Sequence, residues 1–412
     1  MEKFALIGKT LKHSYSKIIH SELSSYQYDL VELEKEQLKS FVLAKEYSGY
    51  NVTIPYKKDI IPFLDVVDER ASKIGAVNTV VCRDNKLYGY NTDFDGMVYA
   101  LNSAKIDIKN KNVLILGSGG TSNTAKVVCE FLGASNIKIL SRSGEINYDN
   151  YADKAKDTQI VINTTPVGMY PDNYSCLINL KVFDKLEGVL DVVYNPSLTK
   201  LLKQAKDLGV KYVNGLAMLV AQAKFACEKF LDKKLDDSLI NKVIKKLKSQ
   251  SQNLVLIGMP GSGKSTVGKM VAEFLGKEFI DTDAEIEKKE NKTIPQIFAE
   301  FGEDYFRKVE SEVLAEVGKL SGRVISTGGG VIKNMDNYFC LKQNSVIIWL
   351  ERDLELLESN GRPLSKDKET IKKLFEERKD AYEFFADKKV KNEGAVIEVA
   401  KEVKDFYENF SY

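Results

Sequence analysis

Gly258-Met259-Pro260-Gly261-Ser262-Gly263-Lys264-Ser265 spells G-x-x-x-x-G-K-S directly after the apolar run Leu254 to Ile257. Backbone N–H groups of such a loop form a nest for phosphate oxygens, its lysine reaches the β and γ phosphates, and its serine hydroxyl suits Mg2+. Asp281 and Asp283 follow Phe279-Ile280, so a strand end can set Asp281 near the metal and Asp283 toward a phosphate acceptor. Arg307 and Glu310, three apart on an expected helix, can pair and fix the guanidinium. Gly328 to Gly330 reads as a flexible turn after the strand Val324 to Ser326, Arg362 lies in a polar segment able to close over ATP, and Arg378 falls on a later helix. Three arginines so distributed suit a carboxylate and a migrating phosphoryl group; singly, Arg362 and Arg378 read as surface charge.

A second glycine loop, Gly117-Ser118-Gly119-Gly120, follows Val113 to Leu116 and precedes the helix-compatible TSNTAKVVCEFLG. Residues without Cβ allow a pyrophosphate to approach the backbone, and the helix N-terminus beyond supplies unpaired N–H groups. The match to G-x-G-x-x-G is incomplete, because Ser122 stands where the third glycine belongs. The next strand, Ile137 to Leu140, ends in Ser141-Arg142-Ser143, where an NAD site offers Asp or Glu to the ribose. A guanidinium between hydroxyls suits a 2′-phosphate instead, so NADP is the expected dinucleotide. A solvent-facing arginine is the plainer alternative.

Elements able to position these groups alternate along the chain: FALIG, GYNVTI, AVNTVV and LYGY are strand-like within residues 1 to 90, and later apolar runs alternate with periodic helical stretches. That order implies layered α/β architecture. A chain of 412 residues has room for two to three domains. The clearest boundary is near 233 to 252: Leu235, Leu239, Val243 and Leu247 predict an amphipathic helix, and SQSQN (249–253) predicts a short joint before the next strand, with the linker set at 248–252. With 60 basic against 59 acidic side chains, there is no global field to hold nucleic acid or an anionic membrane. Five dispersed cysteines without a C-x-x-C pair point to a reducing compartment, two histidines supply little zinc chemistry, and neither a signal-peptide core nor a spanning stretch is present. A cytoplasmic protein is expected.

Residues 1 to about 247 resemble shikimate dehydrogenase through Ser14-Tyr15-Ser16, NVTIPYK (Asn51 to Lys57), GAVNT (Gly75 to Thr79), GYNTD (Gly89 to Asp93), NTTPVGM (Asn163 to Met169), DVVYNP (Asp191 to Pro196) and NGLAMLVAQA (Asn214 to Ala223). The resemblance implies a substrate domain from 1–100 and 215–247, whose last helices return to it, and a Rossmann-like NADP domain at 101–214. It implies reversible reduction of 3-dehydroshikimate to shikimate, with Lys57 as acid/base and Asp93 as its partner. Hydride arriving at a carbonyl carbon leaves alkoxide character on oxygen, which such a pair can manage. Ser14, Ser16, Thr53, Asn78, Tyr194 and Gln222 are implied as the polar wall around the substrate. Gly117 to Thr121, Ser141, Arg142 and Gly215 are implied as cofactor contacts. Lys17 after Ser16, Thr121-Ser122 in the loop and Ser141 before Arg142 depart from the family's usual residues. The cofactor departures leave the balance of NADP and NAD open.

Residues 252 to about 410 resemble shikimate kinase, which implies a P-loop α/β domain with a parallel sheet at 253–412. On that pattern Asp283, Arg307, Gly329, Gly330 and Arg378 bind shikimate. Gly261 to Thr266, with Lys264 and Ser265, and Arg362 serve ATP and the transition state, and Asp281 acts through the water shell of Mg2+. Glu355 to Gly361 and Ser365 depart from the family's lid. Both resemblances meet at one metabolite, so the expectation is a bifunctional shikimate-pathway enzyme using NADP(H), ATP and Mg2+. Alternatives are a quinate/shikimate dehydrogenase fused to the kinase, or a pathway regulator without turnover.

Overall fold

The computed structural model describes residues 2–11, 14–357 and 368–410, and internal contacts divide the chain into Met1–Lys246 and Leu247–Tyr412. The first unit carries two sheets. β1 (Lys3–Gly8), β2 (Gln27–Glu32), β3 (Gly49–Val52), β4 (Val66–Val67), β5 (Thr79–Arg83) and β6 (Lys86–Tyr90) are ordered β2-β1-β3-β5-β6-β4. β5 runs antiparallel to both its neighbours, while β1 pairs in parallel with β2 and β3. Side chains of a strand alternate between faces, so Ala5 and Ile7 enter one core while Phe4 and Leu6 enter another. Burial of both faces is why FALIG reads as an unbroken apolar run. The helix Gly215–Leu231 covers the second face, stacking Phe230 on Phe4 with ring centroids 4.5 Å apart.

β7 (Asn112–Leu116), β8 (Asn136–Leu140), β9 (Ile160–Asn163), β10 (Gly188–Asp191) and β11 (Lys211–Asn214) form an all-parallel sheet ordered β11-β10-β9-β7-β8. The chain proceeds from β7 to β8 on one side and then returns to β9 on the other. A crevice therefore opens over the carboxyl ends of β7 and β9, the usual ligand position in such sheets.

In the second unit β12 (Asn253–Ile257), β13 (Glu278–Asp281), β14 (Arg323–Ser326), β15 (Ser345–Glu351) and β16 (Lys388–Lys391) are again all parallel, ordered β13-β14-β12-β15-β16. Val255 and Ile257 face one core with Trp349, and Leu254 and Leu256 face the other with Val346 and Ile348. Among the described residues no helix is long and apolar enough to cross a membrane.

The expected linker at 248–252 is corrected. The helix Ser238–Ser251 runs through it, Gln252 N–H closes on the Lys248 carbonyl, and Asn253 already opens β12. SQSQN lacks apolar periodicity, yet Ser and Gln are tolerated in a last helical turn, and Ser251 Oγ donates back to the Leu247 carbonyl at 2.9 Å. Leu235 precedes the helix, so the buried row is Ile240, Val243 and Leu247 rather than a four-residue ladder from 235.

Candidate active sites

In the first unit a cavity of about 860 Å³ is lined by Ser14, Ser16, Thr53, Lys57, Asn78, Asp93, Thr121, Tyr194, Gly215 and Gln222. Lys57 stands in the turn after β3, where its carbonyl accepts from Val77 N–H at 2.8 Å. Asp93 lies in the first turn of the helix Thr92–Ser103, where the backbone dipole favours a carboxylate. That helix is anchored by its N-cap Asn91, which accepts from Phe94 N–H and donates to the Ala76 carbonyl. Lys57 Nζ donates to Asp93 Oδ2 at 2.7 Å, with 28% and 17% of the side chains exposed. An ammonium held this way can give up a proton to an oxygen in the cavity while the carboxylate compensates its charge.

Most of the remaining polar wall is neutral. Burial raises the Tyr194 hydroxyl above its ordinary pKa, and the neighbouring Tyr15 adds to this, so it stays a protonated donor at neutral pH. Behind the wall, fully buried Asp191 binds the two loops that follow β9 and β10. Its Oδ1 accepts from Asn163 Nδ2 at 2.9 Å and Val193 N–H at 3.1 Å, and its Oδ2 accepts from Thr199 Oγ1 at 2.6 Å. Burial pushes its carboxyl up to about 6 against these three donors, which favour the anion.

Gly117 takes φ +105, and a Cβ there would sit 2.7 Å from Thr165 Cγ2. At Gly119 and Gly120, which open the helix Gly120–Phe131, a Cβ would meet nothing within 4 Å. The protein's own packing does not demand glycine at these two positions, whereas close approach of a pyrophosphate does, so these residues fit a dinucleotide. Leu116 pairs with Leu140 and Gly117 N–H donates to the Leu140 carbonyl at 2.8 Å, so this loop and Ser141-Arg142 leave adjacent strand ends. Exposed Ser118 and Arg142 and half-buried Ser141 lie on that edge, outside the lining of the large cavity. Gly215 has a packing reason besides: its Cβ would fall 1.9 Å from the Val192 carbonyl oxygen.

The second unit holds a cavity of about 460 Å³ lined by Gly261, Gly263, Lys264, Ser265, Thr266, Asp281, Asp283, Arg307, Gly329, Gly330 and Arg378. Lys264 Nζ donates to the Gly258 and Met259 carbonyls, each at 3.0 Å. Ser265 Oγ donates to Asp281 Oδ2 at 2.6 Å, and Asp281 Oδ1 caps the next helix by accepting from Asp283 N–H at 3.0 Å. Two hard oxygen donors beside a phosphate loop fit Mg2+. Ser262 turns a fully buried side chain away from the cavity and accepts through its carbonyl from Asn392 Nδ2 at 2.7 Å, leaving only its backbone to serve phosphate.

Arg307 pairs with Glu310 at 2.7 Å as its spacing predicts, and Glu303 grips it from the other side at 3.1 Å. Burial raises the Glu310 carboxyl, opposed by Arg307. The triple glycine is a close-packed wall rather than the flexible turn expected. A Cβ at Gly328, Gly329 or Gly330 would come within 2.7 Å of Asp283 Oδ1, 2.6 Å of Pro260 Cδ or 2.3 Å of Arg307 Nη1. Arg378 also departs from the surface reading: it is 3% exposed, Nη1 donates to the Gly329 carbonyl at 3.0 Å, and Nε and Nη2 are buried without a hydrogen-bond partner among the described residues. Such donors are expected to meet an anion in use. Arg362 lies outside the described residues.

Among the lining residues that went unread in the sequence, two border the phosphate loop. Arg352 follows β15 with Nη1 3.5 Å from the Gly261 carbonyl, and Asn392 follows β16 and holds the phosphate loop. Their signal is position, since residues just beyond the carboxyl ends of parallel strands border the ligand crevice.

A family model described as shikimate dehydrogenase substrate binding domain matches residues 6–80, and one described as shikimate kinase matches residues 260–408. A shikimate dehydrogenase (NADP(+)) of Clostridium perfringens strain SM101 is 38% identical over 268 residues, covering 60% of this chain and 99% of its own length. That of Staphylococcus aureus strain JH9 is also 38% identical, covering 60% and 100%. Among solved structures, a chorismate mutase/shikimate 5-dehydrogenase fusion protein from Clostridium acetobutylicum aligns with TM-score 0.57 at 35% identity, over 60% of this chain and 97% of that one. Shikimate 5-dehydrogenase from Thermus thermophilus, in complex with NADP(H) and shikimate, aligns with TM-score 0.55 at 27% identity, over 60% and 99%.

Proposed function

The chain belongs to the shikimate dehydrogenase family and carries a shikimate kinase domain after it, and from that premise we propose how one polypeptide performs two consecutive steps of the shikimate pathway. In the first unit Gly117 to Thr121 would hold NADPH, with Arg142 toward its 2′-phosphate, and the cofactor would supply hydride to the carbonyl carbon of 3-dehydroshikimate. Lys57 holds a proton at the carbonyl oxygen and delivers it as alkoxide character develops; Asp93, at 2.7 Å, orients the ammonium and balances its charge. Run backward, the same pair accepts the proton from shikimate. Ser14, Ser16, Thr53, Asn78, Tyr194 and Gln222 hold the hydroxyls and carboxylate with directional bonds, and an unmet buried group penalises the wrong acid.

In the second unit shikimate is the phosphoryl acceptor and ATP the donor. Asp283 orients the attacking hydroxyl, and Arg307 and Arg378 take the carboxylate, the latter with donors that have no hydrogen-bond partner among the described residues. Lys264 and the backbone of Gly261 to Ser265 hold the phosphates, with Arg362 assigned to the transition state. Ser265 and Asp281 would hold Mg2+, which would supply positive charge beside the phosphates. The protein's part is chiefly positioning and charge stabilisation. The five free cysteines suit a reducing cytoplasm.

The observation that carries this reading is the pairing of two cavities, one lined by Lys57 and Asp93 and the other by Lys264, Ser265, Asp281 and Asp283, in families that share shikimate as product of one and substrate of the other. Incubation with 3-dehydroshikimate, NADPH, ATP and Mg2+ is expected to convert the ketone through shikimate to shikimate 3-phosphate. Formation of neither product defeats it.

A further inference from the structure

Beneath the neutral wall of the first cavity lies a buried chain of hydrogen bonds whose carboxamide orientations are fixed by backbone contacts. Tyr28 O–H donates to Asn51 Oδ1 at 2.7 Å. Asn51 Nδ2 donates to Thr79 Oγ1 at 3.0 Å and to the Asn78 backbone carbonyl at 3.3 Å. Thr79 Oγ1 lies 3.1 Å from Asn78 Oδ1 and 3.2 Å from Thr92 Oγ1, and Thr92 Oγ1 lies 3.2 Å from Asn78 Oδ1 and 3.4 Å from Gln222 Oε1. Thr92 N–H donates to Asn78 Oδ1 at 2.7 Å, and Gln222 Nε2 donates to the Leu219 carbonyl at 3.0 Å.

Backbone N–H groups only donate and backbone carbonyls only accept, so three contacts settle every carboxamide. The Asn78 carbonyl makes Nδ2 the inner end of Asn51, which leaves the Thr79 hydroxyl oxygen accepting and its single proton directed onward. Thr92 N–H makes Oδ1 the inner end of Asn78, and the Leu219 carbonyl turns Gln222 Oε1 toward Asn78 Nδ2 at 3.4 Å. Asn78 Oδ1 is thus engaged from within, and only Nδ2 is left for the cavity.

We infer that Thr79 and Thr92, both fully buried and absent from the cavity lining, are positioning residues that lock Asn78 as a donor, so that Asn78 reads an acceptor oxygen of the ligand and rejects a donor there. The inference rests on the cavity taking shikimate. It adds that the Thr79 and Thr92 hydroxyls, which do not line the cavity, reinforce at Asn78 Oδ1 the orientation that Thr92 N–H sets. Valine in place of threonine keeps the shape and removes the hydroxyl, while serine keeps the hydroxyl and removes the methyl.

In the full chain Thr79→Val is expected to raise the KM for shikimate about tenfold with kcat within about twofold and the NADP KM unchanged, the scale of one buried hydrogen bond. Thr79→Ser should stay near the unaltered value. Asn78→Asp keeps the inner acceptor and replaces the outer donor, and is expected to weaken shikimate binding by about 10²-fold or more, since an acceptor then faces an acceptor. Equal KM changes in the valine and serine variants, or undiminished shikimate binding by Asn78→Asp, would overturn the inference while leaving the dehydrogenase reading intact. Absence of shikimate oxidation by the unaltered chain would overturn that reading, and the inference with it.

Discussion

Lys57 and Asp93 are 36 positions apart in sequence, yet the turn after β3 and the helix start after β6 bring them to 2.7 Å. If Lys57 supplies the proton, Lys57→Met keeps the stem, removes the ammonium, and lowers ketone reduction by about 10²-fold or more. Kinase turnover should be unchanged, because Lys57 lies in the other unit. Reduction at a near-normal rate by the folded variant contradicts the assignment. Arg142 is argued from the exposed edge beside Gly117. Arg142→Ala should raise the KM for NADP far more than that for NAD, since the lost charge-assisted bonds exist only with the 2′-phosphate; equal changes for both dinucleotides contradict that role. Lys57, Asp93, Lys264 and Asp283 were legible because each sits in a motif whose chemistry constrains its neighbours. Arg352 and Asn392 carry no such motif, and only the parallel register of β15 and β16 beside β12 brings them to the phosphate loop.

Elements were most legible where burial on both faces left an apolar run, as in β1, β7 and β12. The last turn of the helix Ser238–Ser251 was not, because its polar residues show no periodicity and hydrogen bonds, including those of Ser251 Oγ, Lys277 Nζ and Asn344 Nδ2, carry it across 248–251. The glycines after β14 were read as freedom, whereas three close approaches make them the wall against which Arg307 and Asp283 are set. Asp191 shows the same dependence on tertiary placement: DVVYNP names the residue, but only the loops after β9 and β10 bury it. Its carboxyl, raised to about 6 from 3.8, binds its proton more tightly folded than unfolded. That contribution is fully present below about pH 4 and is lost as pH rises through about 6. The unaltered chain should therefore gain stability relative to Asp191→Asn as pH falls from about 7 to about 4, with shared titrations cancelling. Urea unfolding of the first unit followed by circular dichroism measures this, and a difference independent of pH contradicts it.

At the scale of the whole chain, each unit lines a cavity of its own with candidate reacting groups: Lys57 and Asp93 in one, Lys264, Ser265, Asp281 and Asp283 in the other. Two domain-scale resemblances could be read from ordered motifs, while the helical conformation of 248–251 could not. The central claim is that the two chemistries share shikimate and no catalytic residue. Asp283→Asn in the full chain tests it most directly, with products followed in time from 3-dehydroshikimate, NADPH, ATP and Mg2+. Loss of the carboxylate that orients the acceptor should leave ketone reduction at its unaltered rate, so that shikimate accumulates and shikimate 3-phosphate does not form. Continued formation of the phosphate at the normal rate, or loss of reduction together with phosphorylation, would contradict it.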